Sequence, residues 1–200
     1  ATGTAAAAIA TAALAAIHYW RFRVPITVAA GAGALALTAL ALLASVAPEL
    51  TARFTNPILF CCGLAIFAVA MRFDLADPER RTRRTDIAFW LHMLASPLIV
   101  HSLFQGIGAG RGQIALGVAI VVIGLLLLLG SVAVMVDRRA FLVSGLVYAG
   151  AAFASIIRRA GLADASAAYT LLALGASVLL LSAGWLPLRR ALLGRLPPGW

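Results

Sequence analysis

The sequence predicts an all-α fold, a polytopic transmembrane bundle of about seven helices, and three observations predict it. Hydrophobic residues fill 63% of the 200 positions and charged ones only 12%, with a mean hydropathy of +1.02. A soluble domain carries about 45–50% apolar and about 25% charged residues. The apolar residues also arrive in runs of about 18 or more, the length needed to cross about 30 Å of hydrocarbon. Finally, the breaks between runs hold charge, Pro or Gly, which end helices. Water-soluble folds are excluded.

Taken in order, the spans are predicted at about 3–20, 24–47, 57–71, 87–105, 114–136, 140–157 and 167–186. The first is closed by Arg21 and Arg23. The second is rich in small residues, from Ala30 to Ala36. The third, bounded by Pro57 and Arg72, has about 15 residues, so it must extend past those bounds or thin the bilayer, because a crossing needs roughly 20. The fourth starts at a Thr85-Asp86 helix signal and contains Pro97. The sixth follows Arg138 and Arg139, and the seventh ends beside Trp185. Residues 1–186 therefore form the bundle, with an arginine-rich loop at 72–86, and residues 187–200 form a tail.

All 16 basic residues are arginine, a bias expected of a GC-rich bacterial genome. Twelve fall on one side of the predicted topology: Arg21 and Arg23, then Arg72, Arg80, Arg81, Arg83 and Arg84, then Arg138 and Arg139, and last Arg189, Arg190 and Arg195. Four, Arg53, Arg111, Arg158 and Arg159, fall on the other. The positive-inside rule places the larger set and the C-terminus in the cytoplasm of a bacterial inner membrane, with Ala1 outside. An outside N-terminus without a signal-peptide pattern leads us to expect a further region upstream. The net charge of +9 faces lipid headgroups at the span ends, so the bilayer is the expected partner and nucleic acid is not.

The longest loop is the most patterned stretch. Asp77-Pro78-Glu79 supplies a capping side chain, a proline and an acid at a positive dipole end, which predicts a short surface helix over about 78–84. On that helix Glu79 and Arg83 would pair at four-residue spacing. Arg80, Arg81, Arg83 and Arg84 would then contact lipid phosphates or a partner subunit.

Chemistry inside a membrane needs polar side chains within the spans, and few are present. All seven acids, Glu49, Asp74, Asp77, Glu79, Asp86, Asp137 and Asp164, lie at ends or in loops of the predicted topology, which weighs against a proton- or sodium-coupled carrier. The candidate polar positions are His18, His92, Ser96, His101 and Gln105. His92 and His101 are nine residues apart, half a turn out of phase at about 100° per residue, so they face opposite ways. By depth His18 and His92 suit a haem between them, and His101 with Cys61 and Cys62 suits an outer-level metal. The favoured reading has no metal and no cofactor: His18 is an interfacial residue, His92 and His101 hydrogen-bond between helices, and the adjacent cysteines pack as small apolar groups. Ser96 is expected to satisfy a backbone carbonyl at the Pro97 kink. The alternating Gly106, Gly108, Gly110 and Gly112 lack the lysine and preceding strand of a phosphate loop and read as a flexible turn. Gly31 and Gly33, and Gly145, Ala149, Gly150 and Ala154, are expected to let helices approach closely, within the bundle or against another subunit. Trp20, Trp90 and Trp185 read as interfacial anchors.

Two stretches, Asp86-Ile-Ala-Phe-Trp-Leu-His-Met-Leu-Ala-Ser-Pro-Leu-Ile-Val-His101 and Gly184-Trp185-Leu-Pro-Leu-Arg189-Arg190-Ala-Leu-Leu193, resemble segments of an uncharacterised family of proteobacterial multi-pass membrane proteins. The resemblance covers about an eighth of the chain. It implies an inner-membrane location and an upstream region, and carries over no catalytic residue. The function expected first is a non-enzymatic structural or accessory subunit that packs against partner subunits of a membrane complex. A small-solute transporter or channel with a path along 87–105 comes second. A haem- or metal-binding redox protein comes third.

Overall fold

A computed structural model describes residues 2–108, 116–136, 140–162 and 166–193. Seven helices follow one another: α1 (Thr2–Phe22), α2 (Ile26–Val46), α3 (Pro48–Leu75), α4 (Arg83–Gly106), α5 (Leu116–Val136), α6 (Ala140–Arg159) and α7 (Ser166–Leu193). The fold is all-α, a helical bundle, and the described residues contain no strand. Among the described residues five helices, α1 to α5, are long and apolar enough to cross a membrane, and α7 adds a shorter apolar segment, Ala167–Leu180. The chain is a membrane protein. It divides into two compact units, Ala1–Leu103 and Phe104–Trp200.

In the first unit α1 and α2 pack through small side chains. Ala5 and Ala8 are buried, and a Cβ built on Gly31 would lie 3.6 Å from that of Ala15. Such close approach is how helices associate where no hydrophobic drive acts between them. Arg23 turns the chain with a φ of 54°, and α2 gives way to α3 through Ala47 alone.

The predicted third span is too short. Pro48 stands in the first turn, where its missing N–H costs nothing, and Glu49 sits at the positive end of the dipole, so the helix begins nine residues before Pro57. Pro57 is accommodated by a kink: Phe54 leaves helical geometry at φ −110°, ψ 16°, next to the Arg53 carbonyl that Pro57 cannot serve. The same helix runs past Arg72 to Leu75, which places Asp74 on its last turn. Twenty-eight residues cross with room to spare.

Helix α4 is the most enclosed span. Ile87, Ala88, Leu91, His92, Ala95, Ser96, Ile99 and Val100 make one buried stripe, and Phe89, Met93, Pro97 and His101 make the exposed stripe opposite. Leu94 meets α2 at Gly33, 3.6 Å from a built Cβ, and Ile99 meets α3 at Gly63.

In the second unit Gly145 of α6 lies against Leu126 of α5, and Gly150 of α6 against Leu174 of α7. Ala149 is buried and Ala154 half-buried. The rings of Phe104 and Tyr148 stack at 4.3 Å. The small residues of α2 and α6 are thus used inside their own units. Helix α7 continues through Pro187 to Leu193, so the helix does not end at 186, where the tail was expected to begin. Gly110, Arg111, Gly112, Asp137, Arg138, Arg139, Asp164 and Arg195 lie outside the described residues, as does the side chain of Trp185.

Candidate functional site

The candidate site grows from the extension of α3. Because that helix reaches Leu75, the Asp74 carboxylate meets α4, and its Oδ2 lies 2.8 Å from His92 Nε2. The His92 side chain is 1% exposed and that of Asp74 16%. An ionised carboxylate only accepts, so facing one, Nε2 carries the hydrogen and donates it. Phe67 of α3 closes the side, its ring edge-on to the imidazole at 5.2 Å. Asp74, which the sequence placed beyond a span ending at 71, sits in the last turn of α3, still at a span end.

Two polar atoms on α4 are buried without a hydrogen-bond partner among the described residues, His92 Nδ1 and Ser96 Oγ. They are one helical turn apart on the buried stripe. Ser96 therefore does not serve a carbonyl at Pro97. The carbonyl that Pro97 deprives of a donor is that of Met93, on the exposed stripe, whereas Ser96 faces inward. Burying a polar group unpaired costs about 1–3 kcal/mol.

Other expected positions are dispersed. His101 is exposed, opposite to His92 as nine residues require. Gln105 is half-buried at the C-terminal end of α4, where Gly108, at φ 79°, donates its N–H to the Gln105 carbonyl and ends the helix. His18 is exposed on α1 with its ring 4.7 Å from that of Phe22. With Nε2 of His92 held by Asp74, only its Nδ1 would be left for the His18 and His92 pairing offered for haem. Cys61 is exposed and Cys62 half-buried, and no group of three metal-ligating side chains occurs among the described residues. Trp20 is exposed and Trp90 half-buried.

The loop joining α3 to α4 is ordered by one side chain. No separate surface helix forms over 78–84, where only Arg83 and Arg84 are helical as the start of α4, because Asp77 is used differently from the way its sequence context suggests. Its carboxylate accepts from the Thr82 amide at 2.8 Å, the Thr82 hydroxyl at 2.7 Å, the Thr85 hydroxyl at 2.9 Å and the Arg81 amide at 3.2 Å. The loop folds back around Asp77, with Arg80 at a φ of 54°, and α4 starts at Arg83 with the Thr82 hydroxyl accepting from the Arg84 amide. Glu79 pairs with Arg81 at 3.2 Å, not with Arg83, and that pair is exposed. Arg80, Arg81, Arg83 and Arg84 are all exposed, and Arg84 Nη1 donates to the Ala76 carbonyl at 3.5 Å.

The Thr82 hydroxyl first, then the Thr82 amide, the Thr85 hydroxyl and the Arg81 amide, hold the Asp77 carboxyl down to about 2 against partial desolvation. A carboxyl depressed below its unfolded value of 3.8 contributes order above that pH and loses it as pH falls through about 2. Hydrogen-exchange protection of the Arg81 and Thr82 amides should therefore persist from pH 7 to about 4 and fall between about 4 and about 2. Asp77→Ala should abolish it already at pH 7.

No family model, no curated protein and no solved structure matches the chain.

Proposed function

We propose that the protein is a non-enzymatic structural or accessory subunit of a bacterial inner-membrane assembly, with the α3–α4 loop and the C-terminus in the cytoplasm. The observation that carries this reading is the loop itself. A connection that merely fixed topology needs only charge, whereas here one carboxylate gathers four donors and presents Arg80, Arg81, Arg83 and Arg84 from a fixed frame. Ordering a surface before binding removes an entropic cost of association. The same arginines strengthen attraction to anionic lipid at the cytoplasmic face. A solute path along α4 is less well supported, because His92 and Ser96 lie on the buried stripe and His101 on the exposed one. The kinship of the Asp86–His101 and Gly184–Leu193 stretches with the proteobacterial multi-pass family belongs to the same proposal.

The test replaces Arg80, Arg81, Arg83 and Arg84 by glutamine and follows co-purification in mild detergent. The expected result is a chain that inserts and folds but loses its stoichiometric partner, with the loss reproduced for wild type in high salt. Unchanged partner recovery would remove the loop from the interface.

A further inference from the structure

We propose that Asp74, His92 and Ser96, joined by one water molecule bound between His92 Nδ1 and Ser96 Oγ, form a proton-accepting relay inside the first unit. The argument starts from the two unpartnered atoms. His92 and Ser96 are each 0% exposed, and Nδ1 and Oγ have no hydrogen-bond partner among the described residues. They share one face of α4, a single turn apart, so a small group carrying both a donor and an acceptor can serve both. With Nε2–H committed to Asp74, Nδ1 of the neutral ring is an acceptor. The Ser96 hydroxyl has a proton to give. Water meets both demands at once, donating to Nδ1 and accepting from Ser96, which is the minimum of two polar partners that a buried water requires.

The chain of groups then runs from Asp74, which has some exposure, through the enclosed imidazole to a hydroxyl within the helix packing. A proton delivered along the relay would be received at Nδ1. The water turns to accept from Nδ1–H, and Ser96 turns from donor to acceptor, so no bond of the relay is lost. The α3–α4 loop, which follows Asp74 directly, carries Asp77, buried, and Glu79, Arg80 and Arg81, exposed. Helix α2 carries no ionisable group. On α3, Arg72 and Cys61 are exposed and Cys62 is half-buried, while Glu49 and Arg53 lie near the opposite end. On α4, Arg83, Arg84, Asp86 and His101 are exposed.

The relay is tested on the full chain in lipid bilayers with ¹⁵N-labelled histidine, assigning His92 by its loss in His92→Gln. Solid-state NMR should find Nε2 protonated in the neutral ring and polarisation passing from water to Nδ1, with that transfer reduced several-fold in Ser96→Ala. Absence of transfer to Nδ1, or transfer unchanged in Ser96→Ala, overturns the proposal. Thermal unfolding gives an independent sign. Ser96→Ala should lower Tm if the hydroxyl is bonded through water, because a satisfied buried group is lost. A raised Tm would mean that Ser96 is an orphan whose removal relieves the protein, and would overturn the relay.

Discussion

Asp74→Ala is expected to destabilise the first unit by about 2 kcal/mol, more than almost any other single substitution there. Hydrogen bonds between transmembrane helices average only about 0.6 kcal/mol, since the separated helices find other partners. His92 lacks that escape. Its side chain is 1% exposed, so removing the carboxylate strands Nε2–H where solvent does not reach. Asp74→Asn, whose carbonyl still accepts from Nε2–H, should cost less. A cycle of Asp74→Ala, His92→Ala and the double variant, followed by thermal or denaturant unfolding in micelles, should return a favourable coupling of at least about 1 kcal/mol. Additive losses would show that the two side chains act independently.

The second large effect belongs to Gly63. A Cβ there would lie 2.8 Å from Ile99 Cγ1, 3.1 Å from the Ile99 backbone nitrogen and 3.1 Å from Leu98 Cβ. The first of these contacts can yield by rotation of a side chain, but a backbone nitrogen cannot move without moving α4. Gly63→Ala should therefore push α3 from α4 and cost about 1–3 kcal/mol, and Gly63→Leu more. Since the same two helices hold Asp74 and His92, the variant should also weaken that pair, and the two losses should not add. Gly145 provides the control. A Cβ there would meet Leu126 Cδ2 at 2.6 Å, yet that atom is the end of a flexible side chain, so Gly145→Ala should cost less than Gly63→Ala. Unfolding midpoints of the two variants decide the order.

Much of this architecture was legible from residues alone, because hydropathy over a window of bilayer length is a strong signal. The opposite facing of His92 and His101 followed from 100° per residue. Helix ends were harder. Pro57 was read as a boundary, although a spanning helix tolerates an internal proline when the freed carbonyl is accommodated, and the kink at Phe54 does this. The true start, Pro48 followed by Glu49, carries a helix-start signal of its own. The far end of α3 mattered most, since ending it at 71 left Asp74 in a loop and concealed its partner. Asp77-Pro78-Glu79 has the composition of a helix start, and only the tertiary demand of four donors explains why Asp77 became the centre of a turn instead. Gly63 carried no local pattern that set it apart; its role depends on which residue of α4 lies opposite.

The accessory-subunit reading is tested most directly by the native mass of the protein extracted in mild detergent from its own membrane, with a visible absorption spectrum of the same sample. The account predicts a colourless particle of fixed stoichiometry, larger than this chain and containing a second protein. A particle holding this chain alone, or one with the absorption of a bound haem, would contradict it.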